Sequence, residues 1–90
     1  MRIGVELPKY SPYNERTLEG TKAPIKLNGI LLDWSWYPLE YDLERRVFFG
    51  LVQGYENEMG SFLLDEILQV GLYVDETYIP KTLKELLNER

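Results

Sequence analysis

The architecture of this chain rests on Val47-Phe48-Phe49-Gly50-Leu51-Val52-Gln53, a run of residues that is almost entirely apolar. A strand that is buried on both faces of a sheet has this pattern, whereas a half-exposed strand alternates apolar and polar residues. The run therefore predicts a central strand. Gly50 lies in its middle, and a glycine at that position leaves room for a large neighbour such as a tryptophan.

The segment before this run, residues 34–41, predicts a neighbouring strand. Its two-residue side-chain period places two tryptophans on one face and three other side chains on the opposite face: Trp34 and Trp36, and Tyr37, Leu39 and Tyr41. Pro38 has no N–H to donate to a ladder, so we expect it to lie at a bulge or where the strand is locally an edge.

Two polar connections flank the central run. Residues 42–45 have the composition of a hairpin loop of moderate length, and residues 54–60 form a second, acidic connection. Ser61-Phe62-Leu63 follows and is predicted to be the third strand of an antiparallel meander. Strands joined in this way are neighbours both in the chain and in the sheet.

Additional strands are predicted nearer the N-terminus. Residues 2–7 alternate apolar and polar side chains, and Pro8 ends them. Residues 24–32 are mostly apolar and are interrupted by Asn28-Gly29, which favours a turn or a bulge. We therefore expect a sheet of three to four strands.

Two short helices are predicted in the second half of the chain. Leu64, Ile67 and Leu68 have the spacing of one helical face, and Gly71 ends that segment. Thr82-Leu83-Lys84-Glu85 has the form of a capping box and begins an apolar stripe. The predicted fold is α+β: a small antiparallel β-meander of three to four strands with one or two short helices, including a C-terminal helix.

Length and composition limit the architecture and the chemistry. The 90 residues suffice for a single domain, residues 1–90, and a hydrophobic content of 44% is typical of a chain that folds. The chain has no cysteine and no histidine, which excludes disulfides, thiolate and imidazole metal ligands, and Ser-His or Cys-His dyads. We therefore expect that the protein is not an enzyme. We also expect it to have no catalytic residue, no bound metal and no cofactor.

Charge narrows the expected partners. Fifteen acidic and ten basic residues give a formal net charge of -5. Direct nucleic-acid binding is not expected, because that affinity depends on Lys and Arg side chains. Six acids and no base lie between Arg46 and Lys81. No apolar run has the length of a signal segment or a membrane span, so we expect a cytoplasmic protein that does not enter a membrane.

Several short motifs occur in an order that is found in a known family. They are L-P-K-Y from Leu7, W-x-W-Y from Trp34, E-Y-D from Glu40, F-F-G from Phe48, L-D-E from Leu64 and P-K-T-L from Pro80. On these motifs the chain resembles the bacterial family named domain of unknown function 2958, over about residues 7–86. Members of that family usually have an N-terminal helix before the L-P-K segment, where this chain has only six residues.

The resemblance implies a setting but no activity, because the family has no assigned function. Its members are similar to accessory proteins carried on plasmids, phages and integrated elements. The resemblance therefore implies a role in the maintenance of a mobile genetic element or in countering host defence, by analogy alone.

Acidic side chains in or beside the connections are the first group of candidate binding residues: Glu40, Asp42, Glu56 and Glu58. We expect the meander loops to bring some of these residues to one end of the sheet, where they would form a charged rim for a partner. Ordinary solvated loop acids are the alternative. Carboxylates also bind Mg²⁺ or Ca²⁺, but the chain lacks the D-x-D-x-D-G pattern of a calcium loop.

Aromatic side chains of residues 34–41 are the second group of candidates: Trp34, Trp36 and Tyr37. Such rings either fill the core or form a platform on which a base or a sugar stacks. In our hypothesis Trp36 or Tyr37 is the anchor of a protein interface, and the four acids are its rim.

The sequence favours a small, acidic, non-enzymatic interaction protein whose partner is another protein. The alternative is a small-ligand or nucleotide-binding module that uses the aromatic platform together with N-terminal basic residues. Exposed sheet edges also allow a homodimer.

Overall fold

The structure, a computed structural model, describes residues 6–89. Its elements are β1 (Lys22–Ala23), β2 (Leu27–Gly29), β3 (Ser35–Asp42), β4 (Val47–Gln53), β5 (Asn57–Leu63), α1 (Leu64–Val70), β6 (Leu72–Val74), β7 (Lys81–Thr82) and α2 (Leu83–Asn88). The predicted α+β class and the C-terminal helix are confirmed. Residues 2–5 of the strand predicted for residues 2–7 lie outside the described residues, and Glu6 and Leu7 do not belong to a strand.

The main sheet is antiparallel and has five strands in the order β5-β4-β3-β2-β6. Strands β2 to β5 form the predicted meander, because each pairs with the next along the chain. β6 follows α1 and pairs with β2, while β1 and β7 form a separate two-stranded sheet. The prediction of three to four strands is therefore too low.

A hydrophobic core lies on each face of the main sheet. The first core includes α1 and is formed by Ile25, Leu27, Trp36, Phe48, Phe62, Leu64 and Ile67. The second core includes α2 and is formed by Ala23, Tyr37, Leu39, Leu51, Leu83 and Leu86. Both cores stabilise the fold chiefly by removing apolar surface from water, which contributes about 25 cal/mol per Å².

β4 has the bounds and the central position that its apolar run predicts. It pairs with β3 along one side and with β5 along the other. The prediction that Gly50 accommodates a tryptophan is wrong, because a Cβ at this position would collide with the carbonyl oxygen of Tyr37. The glycine is required by the close approach of the β3 and β4 backbones.

A β-bulge changes the side-chain pattern of β3. Its register with β4 shifts between Pro38 and Glu40, so Leu39 is the extra residue and Pro38 lies at a bulge as predicted. As a result Tyr41 packs against the first core, whereas Tyr37 belongs to the second. The predicted grouping of these two tyrosines on one face is therefore wrong.

The predicted end of the first helix and the predicted start of the second are confirmed. α1 ends at Gly71, which has a φ of 79° that favours glycine. α2 begins after Thr82, whose side-chain oxygen accepts a hydrogen bond from the Glu85 backbone N–H, and the Glu85 carboxylate accepts one from the Thr82 N–H. No helix in residues 6–89 is long and apolar enough to cross a bilayer.

A buried chain of hydrogen bonds joins the sheet to α2. The Tyr37 hydroxyl donates to Oε1 of Gln53 at 3.0 Å, and Nε2 of Gln53 donates to the Leu86 carbonyl at 3.1 Å. These bonds satisfy the amide of a buried glutamine, which would otherwise destabilise the second core.

The strand predicted for residues 24–32 is shorter than expected. β2 ends at Gly29, and the three apolar residues that follow it, Ile30, Leu31 and Leu32, are exposed. The Ile30 N–H donates to the Gly71 carbonyl at 3.1 Å, so this segment continues beside the α1–β6 connection as a bend.

Replacing Gly50 with alanine should destabilise the protein, because the new Cβ would press on the backbone of a paired strand. We expect the free energy of unfolding, measured by urea titration, to fall by about 3 kcal/mol. The matched control is Gly60→Ala in β5, where no described atom beyond the neighbouring residues lies within 4 Å of the new Cβ. That variant should stay within about 0.5 kcal/mol of the parent. Equal losses in the two variants would contradict the close approach at Gly50.

Candidate functional site

Three of the seven predicted site residues lie together. They border a notch at the end of the β4–β5 hairpin, here called the Trp34 notch, which is lined by Trp34, Val52, Gly54, Tyr55, Glu56 and Glu58. The other four predicted residues lie elsewhere and contribute to the fold: Trp36, Tyr37, Glu40 and Asp42.

Trp36 and Tyr37 lie inside the protein. Their side chains are 4% and 1% exposed, and they belong to the first and second cores respectively. Adjacent residues of a strand point to opposite faces, so these two rings do not share a platform. The prediction that either ring is a surface anchor is corrected, because a ring enclosed by the core has no face left for a partner.

Glu40 forms a partly buried ion pair with Arg16 of the N-terminal segment. Nε and Nη2 of Arg16 donate to the two carboxylate oxygens, both at 2.6 Å. The guanidinium also lies 4.1 Å from the centre of the Phe49 ring. Bidentate pairing and stacking on an aromatic ring are both favoured by arginine. The predicted rim role of Glu40 is therefore corrected: its carboxylate attaches the N-terminal segment to the sheet.

The ion pair changes the pKa of both partners. Burial raises the pKa of Glu40, but hydrogen bonds from Arg16 and Asn14 and the charge of Arg16 outweigh that effect and lower it overall. The hydrogen bond to Glu40 likewise raises the pKa of Arg16. Both shifts favour the charged state of the pair, so the carboxylate stays ionised in the folded protein at neutral pH.

Asp42 stabilises the turn between β3 and β4. Its Oδ1 accepts hydrogen bonds from the backbone N–H groups of Glu44 at 3.1 Å and Arg45 at 3.2 Å. The turn ends at Arg46, which has a φ of 56°. An aspartate that bonds to the backbone two and three residues later is typical of a turn. The β3–β4 turn and the β4–β5 connection lie at opposite ends of β4, so the prediction that Asp42 shares a rim with Glu56 and Glu58 is corrected.

The Trp34 indole lies directly against the backbone of the β4–β5 connection. A Cβ at Gly54 would stand 2.7 Å from Cε2 of the indole, so this glycine, and not Gly50, makes room for a tryptophan. Tyr55 follows and meets the indole edge-on, with ring centroids 5.6 Å apart and an interplanar angle of 81°. The Tyr55 side chain is 95% exposed. The notch therefore combines a half-buried indole with a phenol that projects into solvent.

The register of the main sheet brings acidic side chains to the Trp34 notch. Val52 pairs with Trp36 of β3 on one side and with Glu58 of β5 on the other, so the three side chains form one row across the sheet. Glu56 lies in the connection that joins the two strands. Carboxylates from a strand and from its turn therefore border the Trp34 indole.

Asn57 places an unsatisfied acceptor beside the notch. Its Oδ1 is buried and has no hydrogen-bond partner within residues 6–89. The same residue lines a second depression with Gly54, Tyr55 and Glu56.

Charge and size limit what the Trp34 notch can receive. Its lining has two carboxylates and no basic side chain, which favours a cationic group. Its volume is ≈ 190 Å³, below the roughly 300 Å³ at which small-molecule sites begin. The notch therefore suits a single side chain better than a nucleotide.

A larger depression lies away from these residues. It has a volume of ≈ 780 Å³ and is lined by Thr17, Leu18, Glu19, Gly20, Lys84 and Asn88. Its lining has no aromatic ring on which a base could stack, and Nζ of Lys84 already donates to Glu19 at 3.1 Å. Among the described residues, no group of three or more Asp and Glu side chains is placed to hold a metal ion.

Tyr55 and Gly54 are parts of the notch that sequence reasoning missed. An aromatic residue in a short connection between two strands is commonly exposed, and here acids follow it along the chain. That combination is the signal that would have identified Tyr55. Gly54 gives no comparable signal, because its role depends on an indole twenty residues earlier in the chain.

Comparison with known proteins gives no relative for this chain. No family model, no curated protein and no solved structure matches it. The resemblance to domain of unknown function 2958 therefore stays a prediction, and the Trp34 notch has to be interpreted from its own contacts.

Stability should depend on pH through Glu40. Because its pKa is lowered by folding, the ion pair contributes stability above the unfolded pKa of about 4.3, and this contribution is lost as the pH falls through the folded value. Glu40→Gln should lower the free energy of unfolding by about 3 kcal/mol near neutral pH, and its difference from the parent should shrink below about pH 4 in urea titrations.

The matched control for this measurement is Glu44→Gln, which removes an exposed acid four residues away. We expect it to unfold like the parent across the same pH range, since an exposed acid contributes little. A loss of stability in Glu40→Gln that is the same at all pH values would show that the ion pair is not its cause.

Proposed function

We propose that this chain is a non-enzymatic interaction protein that receives a basic side chain of a protein partner in the Trp34 notch. The observation that carries the proposal is the placement of an indole, an exposed phenol and two carboxylates around one notch. Aromatic faces attract cations, and carboxylates form charge-assisted hydrogen bonds with them. Both contacts favour a lysine or arginine side chain.

The distribution of charge supports a basic partner. Five of the six residues that line the notch, all except Trp34, lie in the stretch between Arg46 and Lys81, which contains six acids and no base. The whole chain has a net charge of -5. An acidic surface of this kind accelerates encounter with a basic partner and disfavours an acidic one. Charge therefore contributes selectivity, and the aromatic contacts contribute affinity.

Within the notch, Trp34 is the expected anchor. Its indole is half-buried and held by contact with Gly54 and Tyr55, so little side-chain freedom remains to be lost on binding. Glu56 and Glu58 are exposed, and exposed charges contribute less because water and salt screen them. Trp34 thus takes the role that the sequence assigned to Trp36 or Tyr37.

The alternative of a small-ligand or nucleotide module has weaker support. A bound nucleotide needs a stacking face for its base and a positive group for its phosphate. The Trp34 notch offers the face, but Glu56 and Glu58 would repel the phosphate. The resemblance to a family implies a function in a mobile genetic element. None of these contacts tests that function, so it stays a prediction.

Trp34→Ala should weaken binding of a basic peptide by about tenfold, because it removes the anchor. The probe is an octapeptide of four Thr-Lys repeats, and the measurement is isothermal titration calorimetry. Thermal unfolding of the variant checks that it remains folded. Binding that is unchanged by this substitution would overturn the proposal.

A second pair of variants tests the acids without touching the core. The double variant Glu56→Gln, Glu58→Gln should bind the octapeptide about fivefold more weakly than the double variant Glu66→Gln, Glu76→Gln. All four residues are exposed, and both variants lose the same charge. The comparison therefore reports the location of the charge, and equal affinities would count against the notch. Saturable quenching of tryptophan fluorescence by a nucleotide would instead favour the alternative.

A further inference from the structure

The edge of the main sheet formed by β5 is open and lies beside the Trp34 notch. In the described part of the chain, β5 is the outermost strand and pairs with β4 alone. It has 7 residues, whereas β6 at the opposite edge has 3. An unpaired edge presents main-chain donors and acceptors to which an extended segment can add.

The β4–β5 register determines which main-chain groups point outward. The Gly54 N–H donates to the Glu56 carbonyl at 3.2 Å, and the Leu64 N–H donates to the Arg46 carbonyl at 3.0 Å. Hydrogen-bonded pairs alternate along an antiparallel ladder, so these two pairs fix the pattern between them. The strand residues that bond to β4 are Glu58, Gly60 and Phe62. The residues whose N–H and C=O groups point to the open edge are Asn57, Met59, Ser61 and Leu63.

This edge lacks three of the features that commonly protect an edge strand, and its one charged side chain, Glu58, repels an acidic strand but attracts a basic one. Natural edge strands are commonly blocked by a lysine, a proline or a bulge. β5 has none of these: its sequence is Asn-Glu-Met-Gly-Ser-Phe-Leu, and its pairing with β4 is regular. Gly60 in its middle has open space around it in the described structure. Among residues 6–89, no strand pairs with the outer side of β5.

A strand added here would carry side chains to the notch. Glu58 lies on the face of the first core, in the row that contains Val52. Neighbouring strands are about 4.8 Å apart, so a long side chain that lies beside Glu58 reaches across β5. Glu58 is itself one of the residues that line the Trp34 notch. A lysine or arginine fits both requirements, because its stem is long and its end is cationic.

We infer that the β5 edge binds an extended, basic segment of the partner as a sixth strand of the main sheet, with one of its Lys or Arg side chains in the Trp34 notch. This inference rests on the proposed function and adds the conformation in which the partner is bound. Main-chain hydrogen bonds provide affinity that is independent of sequence, and the notch selects the basic side chain.

Charge complementarity favours a basic segment over a second copy of this chain. Two copies that paired through β5 would bring Glu56 and Glu58 of both copies to one edge, and each copy has a net charge of -5. β5 itself contains no Lys or Arg to offset that repulsion. A lysine-bearing strand meets the same edge with attraction.

Proline at Met59 tests the inference. The Met59 N–H points to the open edge, so Met59→Pro retains the ladder with β4 and removes a donor from the face that the partner would use. We expect this variant to bind the octapeptide of Thr-Lys repeats about tenfold more weakly in calorimetry. The matched control is Met59→Ala, which keeps the N–H and should bind like the parent.

A second measurement uses the unmodified protein, so it stands even if the proline variant fails to fold. In the same Thr-Lys octapeptide methylated at every backbone nitrogen, the side chains and the charge are the same, but no N–H donor remains for a ladder. If a sixth strand forms, this peptide should bind about tenfold more weakly than the Thr-Lys peptide. Equal binding of the two peptides would overturn the inference and leave the proposed function intact, whereas no binding of either would overturn both.

Comparison of the two Met59 variants separates an effect of the main chain from an effect of the methionine side chain. Equal weakening in Met59→Ala and Met59→Pro would assign the effect to the methionine side chain and overturn strand addition. A concentration-dependent dimer of the parent, seen by sedimentation and abolished by Met59→Pro, would show that a second copy takes this edge, and would overturn the inference as well.

Discussion

The pairing of β3 with β4 is the constraint on which the other features depend. Gly50 lets the two backbones approach more closely than any side chain would permit, and the bulge at Leu39 then determines which residues face each core. Trp36 enters the first core and Tyr37 the second, so one strand supports both. A slip of one residue would exchange the two faces. The same ladder continues through β4 to Glu58, and for that reason an acid of the edge strand lies close to the notch.

Local signals in the sequence predict much of the fold. A continuous apolar run predicts β4, a helical period predicts α1, and the capping box at Thr82 predicts the start of α2. β1 and β7 could not be predicted, because two residues are too few for a period and each strand exists only through its pairing with the other. Residues 30–32 were misread for a related reason: an apolar segment is buried only where another element covers it.

The sequence predicts some residues of the candidate site, but it does not predict how the fold arranges them. The two-residue period correctly places Trp34 and Trp36 on one face, but long-range packing decides that Trp36 is enclosed and Trp34 lies at the margin of the first core. Glutamate is a residue type that is mostly exposed, and the burial of Glu40 depends on its ion pair with Arg16, which lies 24 residues earlier in the chain. No local pattern connects those two residues, because their contact is created by the fold.

Amide hydrogen exchange along β5, with and without the Thr-Lys octapeptide, would decide whether an open edge beside the notch is the binding surface. In the free protein we expect slow exchange at the residues bonded to β4, namely Glu58, Gly60 and Phe62. We expect fast exchange at the alternate residues, Asn57, Met59, Ser61 and Leu63, and this second set should become slow when the peptide is bound. Uniform protection along β5 in the free protein, or a second set that stays fast at saturating peptide, would contradict this interpretation.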